Sequence, residues 1–109
     1  MKKHALKRLP VIAHDLFEAG EWYEDQQPGI GLAADFDDEA SAAIESLRSE
    51  ALMNHIRFRD VRRAAMPRFR SYGVYYVLRQ QTVIVIAVFH DARDPQLLRE
   101  RRRDVEALL

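Results

Sequence analysis

Residues 82–90, TVIVIAVFH, constrain the fold more than any other part of the chain. The run is β-branched with no polar alternation, so it reads as a strand without a wet face. Such a strand belongs in the middle of a sheet, covered on both sides. The segment before it, RFRSYGVYYVL (68–78), is aromatic and β-branched, and RQQ (79–81) is short enough to join the two as a hairpin. Upstream, IRFRDVRRA (56–64) alternates Ile56 and Phe58 with Arg57 and Arg59, then carries Val61 and a pair of arginines. The three segments are expected to form an antiparallel meander.

Ahead of them the apolar period is helical. From Pro10 to about Gln27, Ile12, Leu16, Ala19 and Tyr23 share one face. Pro10 suits a first helical turn, where its missing N–H costs nothing. QPGIG (27–31) is a turn, and its GIG is no phosphate loop because it follows a helix instead of a strand. From Leu32 to Arg48 a second helix carries Phe36, Ala40, Ala43, Ile44 and Leu47 as its stripe, with Asp35, Asp37, Asp38 and Glu39 in its first turns. Residues 4–9, HALKRL, roughly alternate and are expected to make a short strand. From Pro95 onward a terminal helix has Leu97, Leu98, Val105 and Leu108 as its apolar residues. The fold class is therefore α+β: an N-terminal strand and an αα-hairpin packed on a small antiparallel sheet, with a C-terminal helix.

At 109 residues, 48% hydrophobic and 31% charged, the chain reads as one globular domain, 1–109. With zero cysteines, disulfides and thiolate metal sites are excluded, and neither a metal nor a cofactor is expected. No apolar run approaches the ~20 residues a membrane span needs, so a soluble cytoplasmic protein is expected. The formal net charge of zero hides a segregation. Residues 15–50 hold eleven carboxylates against Arg48 alone, a balance of −10. Residues 57–79 hold seven arginines against Asp60 alone, a balance of +6. One surface is thereby suited to an acidic partner or polyanion, and another repels it.

Three strings, DLFEAGEWYEDQQPGIG (15–31), DVRRAAMPRFRSYGVYYVL (60–78) and VIVIAVFHDARDP (83–95), resemble toxins of the RelE/ParE superfamily of type II toxin–antitoxin systems. The resemblance covers residues 5 to about 103 and lies nearest the ParE side, the plasmid-stabilisation proteins. It implies a fold of the kind just derived. It also implies a cognate ParD-like antitoxin, a DNA-binding dimer that neutralises the toxin in a hetero-oligomer and represses the operon. Toxicity in the superfamily takes two forms, poisoning of DNA gyrase and ribosome-dependent cleavage of mRNA.

RNA cleavage requires a base for the 2′-hydroxyl, an acid for the leaving oxygen and cations for the phosphorane charge. By resemblance, His90 falls on the position of the ribonucleases' C-terminal histidine, and Arg62 or Arg63 on that of the phosphate-binding arginine, with Arg93 nearby. The partners depart from that pattern. Asp91 follows His90 where a tyrosine would be needed and would repel phosphate, and no Tyr, Lys or further His comes after it. His90 is therefore expected to end the strand, bonded to neighbouring backbone or Asp91, and the gyrase reading, without covalent chemistry, is preferred. The antitoxin is expected to meet Trp22, as an aromatic anchor, and Arg57, Arg59, Arg62 and Arg63, whose planar forks suit carboxylates. Tyr23 is assigned to the core, Tyr72, Tyr75 and Tyr76 to two-sided strand packing, and RERRRD (99–104) to a solvated face.

Overall fold

The computed structural model describes residues 3–108, leaving aside the Leu108 side chain, so the packing expected of Leu108 lies outside the described residues. Strand β1 (Ala5–Arg8) leads into helices α1 (Ile12–Gln26) and α2 (Leu32–Glu50), which form the hairpin. A 3-10 turn (Ala51–Met53) is followed by β2 (Ile56–Phe58), β3 (Val61–Ala65), β4 (Tyr72–Arg79), β5 (Thr82–His90) and helix α3 (Pro95–Leu108). The sheet order is β1-β5-β4-β3-β2. The apolar run of β5 has one neighbour on each side, and residues 83–89 are all buried, as a strand without a polar face requires.

The sequence-based outline needs four corrections. The sheet is mixed, because β1 pairs with β5 in parallel, Ala5 opposite Thr82 and Arg8 opposite Val85. The segment 56–64 is two strands: Arg59, at φ 50°, begins a two-residue loop that turns β2 back onto β3, with Phe58 opposite Val61. Alternation alone does not reveal a turn that contains neither Gly nor Asn. The strand expected from residue 68 begins at Tyr72, because Phe69 N–H bonds Met66 O and Tyr72 N–H bonds Phe69 O in two successive turns. Pro10 precedes the helix, in a turn closed by the Ile12 N–H on Leu9 O, while Leu9 N–H extends the β1 ladder to Val85 O.

The hairpin covers one face of the sheet. Phe36, Ala40, Ile44 and Leu47 of α2 are fully buried, each large apolar side chain contributing about 1.5–3 kcal/mol. Phe36 and the half-buried Tyr23 close an aromatic cluster with Phe69 and Tyr72, at ring separations of 4.7 to 5.6 Å. At Gly31 (φ 83°), which begins α2 and has no side chain to cap it, the Glu24 carboxylate of α1 accepts from Gly29 N–H (2.9 Å) and Ala33 N–H (3.5 Å).

Helix α3 lies on the opposite face. Its Val105 is fully buried, and Arg102 and Arg79 share the Asp60 carboxylate at 2.7 and 2.9 Å. Between Tyr75 and Tyr76 the β4–β5 register shifts by one residue, so β5 carries a bulge at Ile86. Beyond it β1 has ended, and the free edge of β5 is closed by side chains: Asp15 of α1 accepts from Val88 N–H (3.0 Å), and Arg101 of α3 donates to Ile86 O (2.8 Å).

Candidate functional site

Strand alternation decides where the arginines of β3 point. Neighbours on a strand face opposite sides, so Arg62 and Arg63 cannot serve one site. Arg62 turns to the hairpin side, where its Nη1 donates to Asn54 O at 2.6 Å. Asn54 Nδ2 in turn donates to the Tyr76 hydroxyl at 3.1 Å, and that hydroxyl donates to Ala51 O. Arg62 is thus tied into the junction between the 3-10 turn and the sheet.

Arg63 lies on the other face, flat across Gly73. A Cβ at residue 73 would sit 2.3 Å from its Nε, so only glycine admits the guanidinium there. One nitrogen, Nη2, donates to Arg70 O (3.1 Å), Tyr72 O (3.0 Å) and Asp91 Oδ1 (3.0 Å). The Arg63 side chain is only 10% exposed. It acts as a brace that satisfies carbonyls at the entry to β4 and ties them to the end of β5.

His90 ends β5 directly opposite Tyr72, so its ring shares the hairpin face. The ring stands edge-on to Tyr72 at 5.2 Å, and its Nδ1 accepts the Ala92 backbone N–H at 3.0 Å. Arg93 stacks on Phe89 at 4.8 Å and reaches Glu18 of α1 at 3.8 Å. Burial, with a smaller contribution from the neighbouring Tyr23, pushes the Tyr72 hydroxyl above its ordinary pKa. The chain therefore brings His90, Arg93 and Tyr72 together at one corner and places Arg63 and Arg62 elsewhere. Among the described residues no group of three or more His, Cys, Asp or Glu side chains is placed to hold a metal ion.

The residues expected to meet a partner fall on two surfaces. Trp22 is 48% exposed on α1, edge-on to Tyr23, at the rim of a surface groove of about 400 Å³ that includes Leu32, Arg68 and Phe69. Arg57 and Arg59 are exposed at the far edge of the sheet, on β2 and its turn. Sequence reasoning passed over the apolar residues beside them: Leu52, Met53 and Ile56 are 66%, 75% and 53% exposed. Together with the edge strand β2 they make an exposed apolar patch next to unpaired backbone, the combination that invites a partner segment. The available signal was the pair Leu52–Met53, set in polar surroundings just ahead of a strand.

Residues 9–95 match the family model described as "ParE toxin of type II toxin-antitoxin system, parDE". No curated protein matches. Among solved structures, one described as "Chromosomal ParDE TA system from P. aeruginosa" is similar, with a TM-score of 0.69 at 14% identity over 83% of this chain and 98% of that one. That degree of identity establishes a common fold.

Proposed function

The chain belongs to the ParE toxin family of type II toxin–antitoxin systems, and on that premise we propose that it inhibits growth by poisoning DNA gyrase and is held inactive by a cognate antitoxin. It would act in the cytoplasm, as one toxin domain, without covalent chemistry of its own. One observation carries the choice of target. The arginines at the phosphate-binding position do not join His90. His90 faces the hairpin with Nδ1 engaged by Ala92 N–H, Arg62 is held by Asn54 O, and Arg63 lies on the opposite face bound to Asp91. That leaves beside His90 only Arg93, itself reaching Glu18. A general base and its phosphate-binding cation have to reach one phosphodiester, and neither Arg62 nor Arg63 is placed to do so with His90.

Of the residues expected to meet the antitoxin, Trp22, Arg57 and Arg59 are open to it. The Leu52–Met53–Ile56 patch supplies apolar anchors that those arginines lack. Arg62 and Arg63 already serve carbonyls of their own chain, so their part in the interface would be to hold the sheet edge in shape.

Induction of the chain without its antitoxin tests the target. DNA double-strand breaks with intact mRNA are expected. Cleaved mRNA without breaks would overturn the gyrase reading and return His90 and Arg62 to candidacy as catalytic groups.

A further inference from the structure

Between the β2–β3 turn and α3 runs a groove of about 360 Å³ lined by Phe58, Arg59, Gln96, Arg99, Arg102 and Arg103. The three helical arginines stand at i, i+3 and i+4, on one side of α3. Arg59 faces them from the turn. The guanidiniums of Arg59 and Arg99 both lie over the Phe58 ring, at 5.7 and 5.3 Å from its centre. Among the described residues Arg59, Arg99 and Arg103 have no carboxylate within ion-pair distance. Two acids stand by the groove: Asp60, whose oxygens are taken by Arg102 and Arg79, and Glu106, which is paired with Arg79 and near enough to act on Arg102. Four cations converge here against two counter-charges, both already engaged.

Of the four, Arg102 alone has an ion-pair partner among the described residues, Asp60, and the backbone bears a cost for Arg59. Arg59 opens a two-residue hairpin loop at φ 50°, a position that glycine fills without strain. A side chain kept there against its conformational preference aims a guanidinium into the groove. Strain of this kind collects where a ligand is held.

We propose that this groove binds the phosphodiester backbone of DNA. The inference goes beyond gyrase poisoning and does not rest on it. Three observations select this occupant. The lining offers no free apolar anchor, because the one aromatic ring is flanked by guanidiniums; a protein segment would need such an anchor, whereas nucleic-acid interfaces are dominated by positive charge. For the same reason the ring cannot stack a base, so backbone is read and sequence is not. The acidic hairpin lies on the opposite face of the sheet, so the molecule presents its positive side to an approaching polyanion. Along α3, Arg99 and Arg103 are one turn, about 6 Å, apart, far enough for each to meet its own phosphate.

The test is fluorescence anisotropy of a short labelled DNA duplex with the full-length chain, titrated across salt concentrations with no gyrase present. Binding is expected to weaken with salt. The variants Arg59→Gly, Arg99→Gln and Arg103→Gln are each expected to weaken it further and to lower the log–log salt slope by about one. Arg59→Gly relieves the strained turn, so a thermal midpoint at or above the parent's shows that lost binding is not lost folding. Arg48→Gln, on the hairpin and outside the groove, should bind as the parent does. Absence of salt-dependent binding, or binding unchanged in all three groove variants, overturns the proposal. Tighter binding of a poly-glutamate peptide than of duplex at equal salt overturns it as well, in favour of an acidic protein partner.

Discussion

Asp15 of α1 and Arg101 of α3, eighty-six positions apart, meet in a two-pronged ion pair at 2.8 and 2.9 Å around the free edge of β5. The Asp15 side chain is 3% exposed and that of Arg101 13%. The pair joins the two faces of the sheet, and each member also satisfies one backbone group of β5 beyond the end of β1. Removing one partner leaves the other charge buried together with an unpaired backbone group. Asp15→Ala and Arg101→Ala are each expected to cost about 3–5 kcal/mol in chemical denaturation. The double variant should cost clearly less than the sum; strict additivity would mean that the two side chains do not act as a pair.

Gly73→Ala should destabilise the chain by about 1–3 kcal/mol, because the new Cβ displaces the Arg63 guanidinium from its three oxygen partners. Arg63→Ala in the same background should then cost little more. The comparison needs only thermal melts of the two single variants and the double variant.

The Tyr76 hydroxyl donates to Ala51 O and accepts from Asn54 Nδ2, so Tyr76→Phe strands two polar groups and is expected to cost about 1–2 kcal/mol. Burial, opposed by the Asn54 hydrogen bond and the Arg62 charge, holds the Tyr76 pKa above its ordinary 10.0. A raised folded pKa makes the contribution complete below the unfolded value and erodes it as pH climbs beyond. The parent should therefore lose stability above about pH 10 in a way that the phenylalanine variant does not.

Acid should release the clamp at Asp60. Burial alone would raise its pKa, but hydrogen bonds from Arg102 and Arg79, with their charges, outweigh it and hold the carboxyl below its ordinary 3.8. With the folded pKa depressed, the contribution is full above the unfolded value and disappears as pH falls through the folded one. Stability measured from pH 6 downward should fall less steeply below about pH 4 in Asp60→Asn than in the parent. Equal slopes would show that the clamp does not titrate in that window.

His90→Ala should leave growth inhibition intact when the chain is induced without antitoxin. Loss of toxicity in a variant whose melting curve is unchanged would contradict the gyrase reading. Conversely, Leu52→Asp combined with Ile56→Asp should leave folding untouched, both side chains being exposed, and weaken the complex with the antitoxin by tenfold or more, about 1.4 kcal/mol.

Local rules made most of the fold legible. The apolar stripe of α2, Phe36 to Leu47, and the two-sided burial of β5 follow from residue period alone. Assignment of Tyr23 to the core side, where it is partly buried, came from its place on the apolar stripe of the first helix. The strand-end position of His90 followed from the polar residues after it. What stayed hidden depended on distant partners. Asp15 reads as one more surface acid and Arg101 as part of a solvated basic run, because nothing in either neighbourhood announces the other. The turn at Arg59 was missed because arginine is a rare occupant of positive φ.

The sequence by itself determined the elements, their order and which faces are apolar, since those properties reside in the period and chemistry of neighbouring residues. Only the tertiary structure decided that β1 joins β5 in parallel and that Arg62 and Arg63 part to opposite faces. It also brought Arg59 to the arginines of α3. These are relations between residues far apart in the chain, set by how the layers close over a common core, and no local pattern carries them.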